Sequence, residues 1–448
     1  MDDLSTLNSP NIRVKPPGPR VSEILSRGGM RSSQYTQPIL EEAKGIFIRD
    51  PDGNVFVDFI SGRCVTNVGY SHPKVVKALQ EQVAKGLHGI TEQRFKLNTK
   101  LSEMTPGDFE KSIFYCQSGS AVNDVGIKAA RFSTRRPYIV AFAGAYHGVT
   151  YGALSISSYR PSMIKGFHPN VPGVYHMPYP YCYRCPFKLE YPDCGLACLW
   201  YMEDYAFRSF LPPEEVAAVI FEPVAGDAGW HVPPDTWLPT LKKICEKHNI
   251  PLVAEEVQTG FGRTGKMFAV ENWSVVPDMM LLGKAISCGV PNAAAVIRKE
   301  LTVRQDTGES LLTGHTFGGS PLGVVSALAN IEAIEEEKLV ENSARMGDYI
   351  KRRLTEMMSD HRLMGDVRGI GLLIGIEVVK DKETKEPGVE EADMICARAF
   401  QKGLYLVNMG AFGTRALRVA PPLIINREQA DCCLEILEES ISEVEKGS

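Results

Sequence analysis

Short apolar runs at residues 112–115, 138–142, 216–221, 251–254 and 279–282 punctuate the middle of the chain. Between several of them apolar residues recur every three or four positions, as in 121–132 and 237–248. Runs of this length bounded by turn residues read as buried strands, and the longer periodic stretches as amphipathic helices. Their alternation predicts a mainly parallel sheet covered by helices.

The flanks read differently. Residues 1–35 are rich in Pro and Gly and predict an arm, with one short helix near 21–26. Residues 45–59 alternate apolar and polar positions around Asp52-Gly53, the signature of a hairpin. Residues 72–87 have helical periodicity, and 321–354 reads as long helical material. The last part predicts a smaller α+β unit. Its strands fall at 368–379, 404–407 and 417–425, its helices at 391–401 and 427–445. Asn426 and Gln429 fit a capping box at the start of the last helix.

Composition adds bounds. The chain has 448 residues with 44% hydrophobic and 23% charged positions, ordinary for a globular protein of two or three domains' length. A formal net charge of −5 supplies no basic field for nucleic acid. No run of about 18 apolar residues is present to span a membrane. Asp2 and Asp3 open a stretch without the apolar core of a signal peptide. Eleven cysteines in so long a chain do not read as a secreted disulfide scaffold, so a cytoplasmic protein with reduced thiols is expected.

In an open parallel sheet, ligands bind beyond the carboxyl ends of the strands. The polar residues that follow the apolar runs are therefore the candidates for chemistry. Ser118-Gly119-Ser120 follows the first run and precedes a helix. Small residues and hydroxyls at a positive helix end suit a phosphate, and equally an ordinary capping turn. Tyr146-His147-Gly148 follows the second run, where an aromatic ring could stack on a flat ligand or simply pack. Glu255, Glu256 and Gln258 follow the fourth. Two carboxylates at the end of a buried strand are costly unless paired or solvated. Lys284 stands between an apolar run and small residues. Desolvation there would lower its pKa toward that of an imine-forming amine, whereas a snorkelling lysine is the plainer reading. A phosphate cradle, a ring stacker, an acid and an amine at one sheet edge are the parts pyridoxal phosphate (PLP) requires.

At these residues the chain resembles the class III aminotransferase family of fold type I PLP enzymes. The similarity is carried by Glu255-Glu256-Val257-Gln258-Thr259-Gly260-Phe261-Gly262-Arg263-Thr264-Gly265, by Pro277-Asp278 and by Gly283-Lys284-Ala285. It continues in Glu222-Pro223, in residues 315–321 and in Arg418-Val419-Ala420-Pro421-Pro422. The resemblance implies an α/β fold. Residues 1–70 would form an arm and part of the small domain, 71–325 the large PLP-binding domain, and 326–448 the small domain.

It also implies roles. Lys284 carries pyridoxal 5'-phosphate as a Schiff base and moves protons, and Ser118, Gly119 and Ser120 hold the phosphate. Thr316 reaches the phosphate of a neighbouring subunit, which makes a homodimer the smallest working unit. Tyr146 stacks on the ring with His147 beside it, and Gln258 contacts the ring hydroxyl. Glu255 faces the ring nitrogen, Arg418 clamps a substrate carboxylate, and Asp227 is positioned to pair with Arg418. The expected reaction moves an amino group from an amino acid or amine to a 2-oxo acid.

Glu255 stands where the family usually has Asp, Ala225 where Gln is common, and Ser320 where Asn is common. Residues 118–124, 146–150 and 365–387 also resemble amino-acid epimerases of this fold, so racemisation at the same site is the alternative. Cys182, Cys185, Cys194 and Cys198 have spacing that could hold a structural Zn2+, or they are free buried cysteines.

Overall fold

The structure is a computed structural model that describes residues 3–31 and 35–447. Asp2, and the outer limits of the first and last expected domains, lie outside these residues. The chain forms two compact units.

The larger unit comprises Lys77–Phe261 and Lys266–Glu332. Its sheet has seven strands: β1 (Lys111–Cys116), β2 (Tyr138–Phe142), β3 (Val174–Met177), β4 (Val216–Phe221), β5 (Leu252–Glu255), β6 (Met279–Leu282) and β7 (Ala293–Arg298). Their order is β1-β7-β6-β5-β4-β2-β3. Neighbours from β6 to β3 pair in parallel. Only β7 runs antiparallel, to both β1 and β6. The five runs predicted from the sequence are all strands. β3 and β7 are additional, and β7 makes the sheet mixed. Its Ala-Ala-Ala start carries none of the β-branched or aromatic residues that mark a strand.

Helix α1 (Gly119–Thr134) buries Val122, Val125, Ala129 and Ala130 in one core with Ala217, Ile220, Val253 and Leu281 of the sheet. Full burial of a Val, Leu or Ile side chain stabilises by about 1.5–3 kcal/mol. This packing fixes where the amino end of α1 points.

The smaller unit comprises Met1–Val76, Gly262–Gly265 and Ala333–Ser448. One four-stranded sheet joins Glu42–Lys44, Phe47–Arg49 and Val55–Asp58 to Leu404–Tyr405. The expected hairpin is present between Phe47–Arg49 and Val55–Asp58. A second sheet orders Met364–Gly369, Ile374–Val378, Ala416–Val419 and Val407–Met409, all antiparallel. The run 368–379, read as one strand, spans the end of Met364–Gly369 and all of Ile374–Val378, with Gly371 at φ 55° in the connecting turn. Likewise 321–354 divides into Pro321–Glu336 and Leu339–Asp360, because Lys338 adopts φ 53°. The capping box of the last helix, Arg427–Gly447, forms as expected. Gln429 N donates to Asn426 Oδ1 at 2.8 Å, and Asn426 N donates to Gln429 Oε1 at 3.2 Å.

The excursion Gly262–Gly265 is not foreseen by the sequence reading. Arg263 explains it. Its buried guanidinium donates to Pro421 O at 2.6 Å, Leu372 O at 3.1 Å, Ser61 Oγ at 2.9 Å and Asn67 Oδ1 at 2.5 Å. Among the described residues, no helix is long and apolar enough to cross a membrane.

Candidate active site

Except for Thr316, each candidate residue of the larger unit lies at or shortly after the carboxyl end of a strand. Ser118 follows β1 and caps α1, its Oγ accepting from Ala121 N at 3.2 Å. The first turn of a helix has N–H groups without partners inside the helix, a setting that suits an anion. Ser120 Oγ accepts from Val149 N at 3.0 Å, which ties the helix start to the loop after β2. That loop passes very close. A Cβ on Gly148, whose φ is +130°, would stand 2.0 Å from Ser120 Oγ.

The same loop carries Tyr146 and His147. Tyr146 is half-buried and meets Tyr159 edge-on at 6.2 Å. His147 is buried and held on both backbone sides: Asn123 Nδ2 donates to its carbonyl at 2.9 Å, and its N donates to Ser157 Oγ at 2.9 Å. Its Nδ1 lies 3.0 Å from Glu255 Oε2. Glu255 ends β5 and is 4% exposed, with Oε1 accepting from Val257 N at 2.7 Å. Burying a carboxyl group beside two hydrogen-bonding partners costs less than burying an unpaired one.

Gln258 Oε1 accepts from Trp230 Nε1 at 2.7 Å, and Gln258 Nε2 donates to Asp227 Oδ1 at 3.4 Å. Lys284 follows β6, half-buried, with φ 43° at the start of a tight turn over Lys284–Ser287. Asn330 Nδ2 and Ser326 Oγ fix that turn by donating to Ala285 O at 2.8 Å and Ser287 O at 2.6 Å.

Val257 links the amine to the cradle. A Cβ added to Gly119 or to Gly283 would come within 3.0 Å of Val257 Cγ1. The helix start and the lysine turn therefore flank one apolar side chain, two residues from Glu255. Glu222, at the end of β4, belongs to the same cluster. Burial raises its pKa well above the usual carboxylate range, the charges of Glu255 and Asp227 raise it further, and Lys284 opposes them. Glu222, Asn123 and Trp230 join this cluster in addition to the residues expected from the sequence. Glu222 was the one within reach, since it is the polar residue directly after an apolar run.

Thr316 does not follow a strand end. Thr316 is exposed and lines a cavity of about 210 Å³ with His88, Arg94 and Tyr115. Among the described residues, no hydrogen bond joins it to Ser118, Gly119 or Ser120 of the same chain. Arg418 is buried in strand Ala416–Val419 of the smaller unit, whereas Asp227 belongs to the larger one.

Comparison with known proteins decides the family. The model of the class-III aminotransferase family matches residues 30–441. The chain belongs to this family. A similar curated protein is the alanine/serine racemase of Pyrococcus horikoshii, 41% identical, with 99% of this chain and 95% of that protein covered. Another is a probable 4-aminobutyrate aminotransferase of Bacillus subtilis, 35% identical over 91% of this chain and 93% of the other. Among solved structures, a Bacillus anthracis aminotransferase superposes with a TM-score of 0.87 at 30% identity, covering 95% of this chain and 99% of the other.

This class-III chain therefore has the fold type I architecture of PLP enzymes and is PLP-dependent. The aminotransferase reading of the sequence is supported, with an amino donor and a 2-oxo acid as the substrates that the family implies. The residues present fit the cofactor: a glycine-lined helix start for its phosphate, an amine for its aldehyde and a held carboxylate.

Cys182, Cys185, Cys194 and Cys198 are free thiols around one cavity of about 20 Å³, together with Tyr179, Tyr181 and Pro234. Among the described residues, no three His, Cys, Asp or Glu side chains are arranged to hold a metal ion.

Proposed function

We propose that this class-III enzyme moves an amino group from an amino acid to a 2-oxo acid, with Lys284 carrying the proton of the substrate Cα. The observation that carries this reading is the grouping of Gly119, Val257 and Gly283-Lys284 beside the held carboxylate Glu255. Bound PLP supplies an aldehyde for the amine and a sink for the electrons of the broken Cα–H bond.

The other roles follow from chemistry. Ser118, Gly119 and Ser120 hold the phosphate through the α1 amino end. Tyr146 covers the ring face, and Gln258 meets the ring hydroxyl. Glu255, oriented by His147 and the Val257 amide, holds the proton of the ring nitrogen. Lys284 acts as general base at Cα and returns the proton where the reaction requires it. Arg418 binds the substrate carboxylate in the bidentate manner of a guanidinium.

Thr316, exposed and followed by the exposed Phe317, serves the phosphate site of a second copy, so the working unit is a homodimer. An exposed aromatic ring at this position favours burial against a partner. The eleven free cysteines support a cytoplasmic enzyme.

A second reading is racemisation of an amino acid at the same site, favoured by the 41% identity to a racemase. It needs an acid besides Lys284 to return the proton to the opposite face of Cα. Asp227, 3.4 Å from Gln258 Nε2, and Glu222 are the carboxyls of this cluster that could supply it.

Incubation with a single amino-acid enantiomer, with and without a 2-oxo acid, separates the two readings. Transamination is expected to consume donor only when the acceptor is present. Accumulation of the opposite enantiomer without acceptor, followed by chiral chromatography, would replace the first reading with the second.

A further inference from the structure

The loop after β4 carries Glu222 and Asp227, and it is tightly wound on itself. Ala225 N donates to His231 O at 3.0 Å, and His231 N donates to Ala225 O at 3.3 Å. Trp230 N donates to Gly226 O at 3.1 Å, and His231 Nε2 lies 3.0 Å from Ala228 O. Gly226 leaves no slack, since a Cβ there would stand 2.8 Å from Glu222 Oε1 and 2.9 Å from Gln258 Oε1. Trp230 and Asp227 also tie the loop to Gln258 after β5, while its exit from β4 at Glu222 and Pro223 is held from another side.

Tyr179 supplies that hold. Its hydroxyl donates toward Glu222 O at 3.1 Å and Pro223 O at 3.2 Å, the two carbonyls where the loop leaves β4. The ring is buried, with Phe142 edge-on at 5.9 Å and Trp237 at 5.2 Å. Two residues on, the Tyr181 ring lies 3.7 Å from that of His231, at the far end of the same loop. Both ends of the loop therefore rest on the segment that opens the four-cysteine knuckle. Burial, and then the charge of Glu222, hold the Tyr179 phenol far above its usual pKa, so it stays a donor at any working pH.

We infer that Tyr179 is a positioning residue for the carboxylates of this active site. Through the Glu222 and Pro223 carbonyls it sets the entry of the loop, and hence the Gln258–Asp227 contact and the distance of Glu222 from Glu255. The inference rests on the functional reading above and deepens it.

Tyr179→Phe removes one oxygen and keeps the ring packed. Its kcat is expected to fall about tenfold or more, because small misplacements of reacting groups are costly. The pH profile of kcat should shift with it, since the mutual repulsion of Glu222, Glu255 and Asp227 changes. PLP affinity should stay within twofold of wild type. Hydrogen exchange over residues 222–231 should accelerate, leaving residues 118–134 unchanged.

Trp237→Phe is the packing control: it loosens the same ring cluster without touching the loop carbonyls. It is expected to lower the melting temperature and leave the pH profile in place. Wild-type kinetics and wild-type exchange in Tyr179→Phe would overturn the inference, as would an equal kinetic loss and profile shift in Trp237→Phe. If wild type itself shows no Lys284-dependent turnover, the functional reading falls instead, and exchange over 222–231 alone then decides for or against Tyr179.

Discussion

Two neighbouring carboxyl groups at the end of β5 show how one residue step separates two tasks. Glu255 turns to His147 Nδ1 and the Val257 amide. Glu256 turns away, fully buried, and accepts from Thr259 Oγ1 at 2.5 Å, Val270 N at 2.9 Å and Ala269 N at 3.0 Å. Alternation of side chains along a strand produces this division. Burial pushes the Glu256 pKa from 4.5 up to about 7, against the pull of its three donors. A carboxyl raised in the fold keeps a proton that the unfolded chain has released. Its contribution to stability is therefore complete below pH 4.5 and is lost as pH rises through about 7. Melting temperature followed across this window should fall for wild type from this group. Glu256→Gln should flatten that slope; parallel curves for the two proteins would refute the assignment. The extra methylene of Glu255, relative to the Asp usual in the family, is accommodated with both oxygens engaged.

At the scale of elements, the amino end of α1 depends on a close crossing rather than on its own sequence alone. Ser120 and Gly148 come together from different strand–helix junctions, and the space between them admits no side chain. Gly148→Ala is expected to displace Ser120 and to weaken PLP binding about tenfold, read by quenching of protein fluorescence, which corresponds to roughly 1.4 kcal/mol. An unchanged affinity would mean that Ser120 does not contribute to the cradle. Much of this architecture was legible in the sequence. Five strands announced themselves because buried strands are continuous apolar runs, and the polar residues Ser118, Glu255 and Lys284 stood out by ending or following such runs. What stayed hidden had no local signal. β7 begins with three alanines, and the hairpin from Met364 to Val378 looks like one strand until Gly371 turns it. Asn123, Trp230 and Tyr179 act through contacts 24, 28 and 43 residues distant in sequence, which no spacing rule reports.

For the whole molecule, the family match over residues 30–441 and the TM-score of 0.87 to an aminotransferase join the fold to PLP chemistry. They leave the reaction outcome to the residues around Lys284, as one fold hosts several chemistries. The larger unit brings Gly119, Glu255 and Lys284 to one sheet edge, where the proposed cofactor site lies. In the proposed mechanism the Lys284 amine is the group that bonds the cofactor aldehyde. Borohydride reduction of the PLP-loaded protein, followed by peptide mass spectrometry, tests it most directly. The expected result is a phosphopyridoxyl group on the peptide containing Lys284, lost in Lys284→Ala. Its appearance on a different lysine, or undiminished labelling in Lys284→Ala, would contradict the claim.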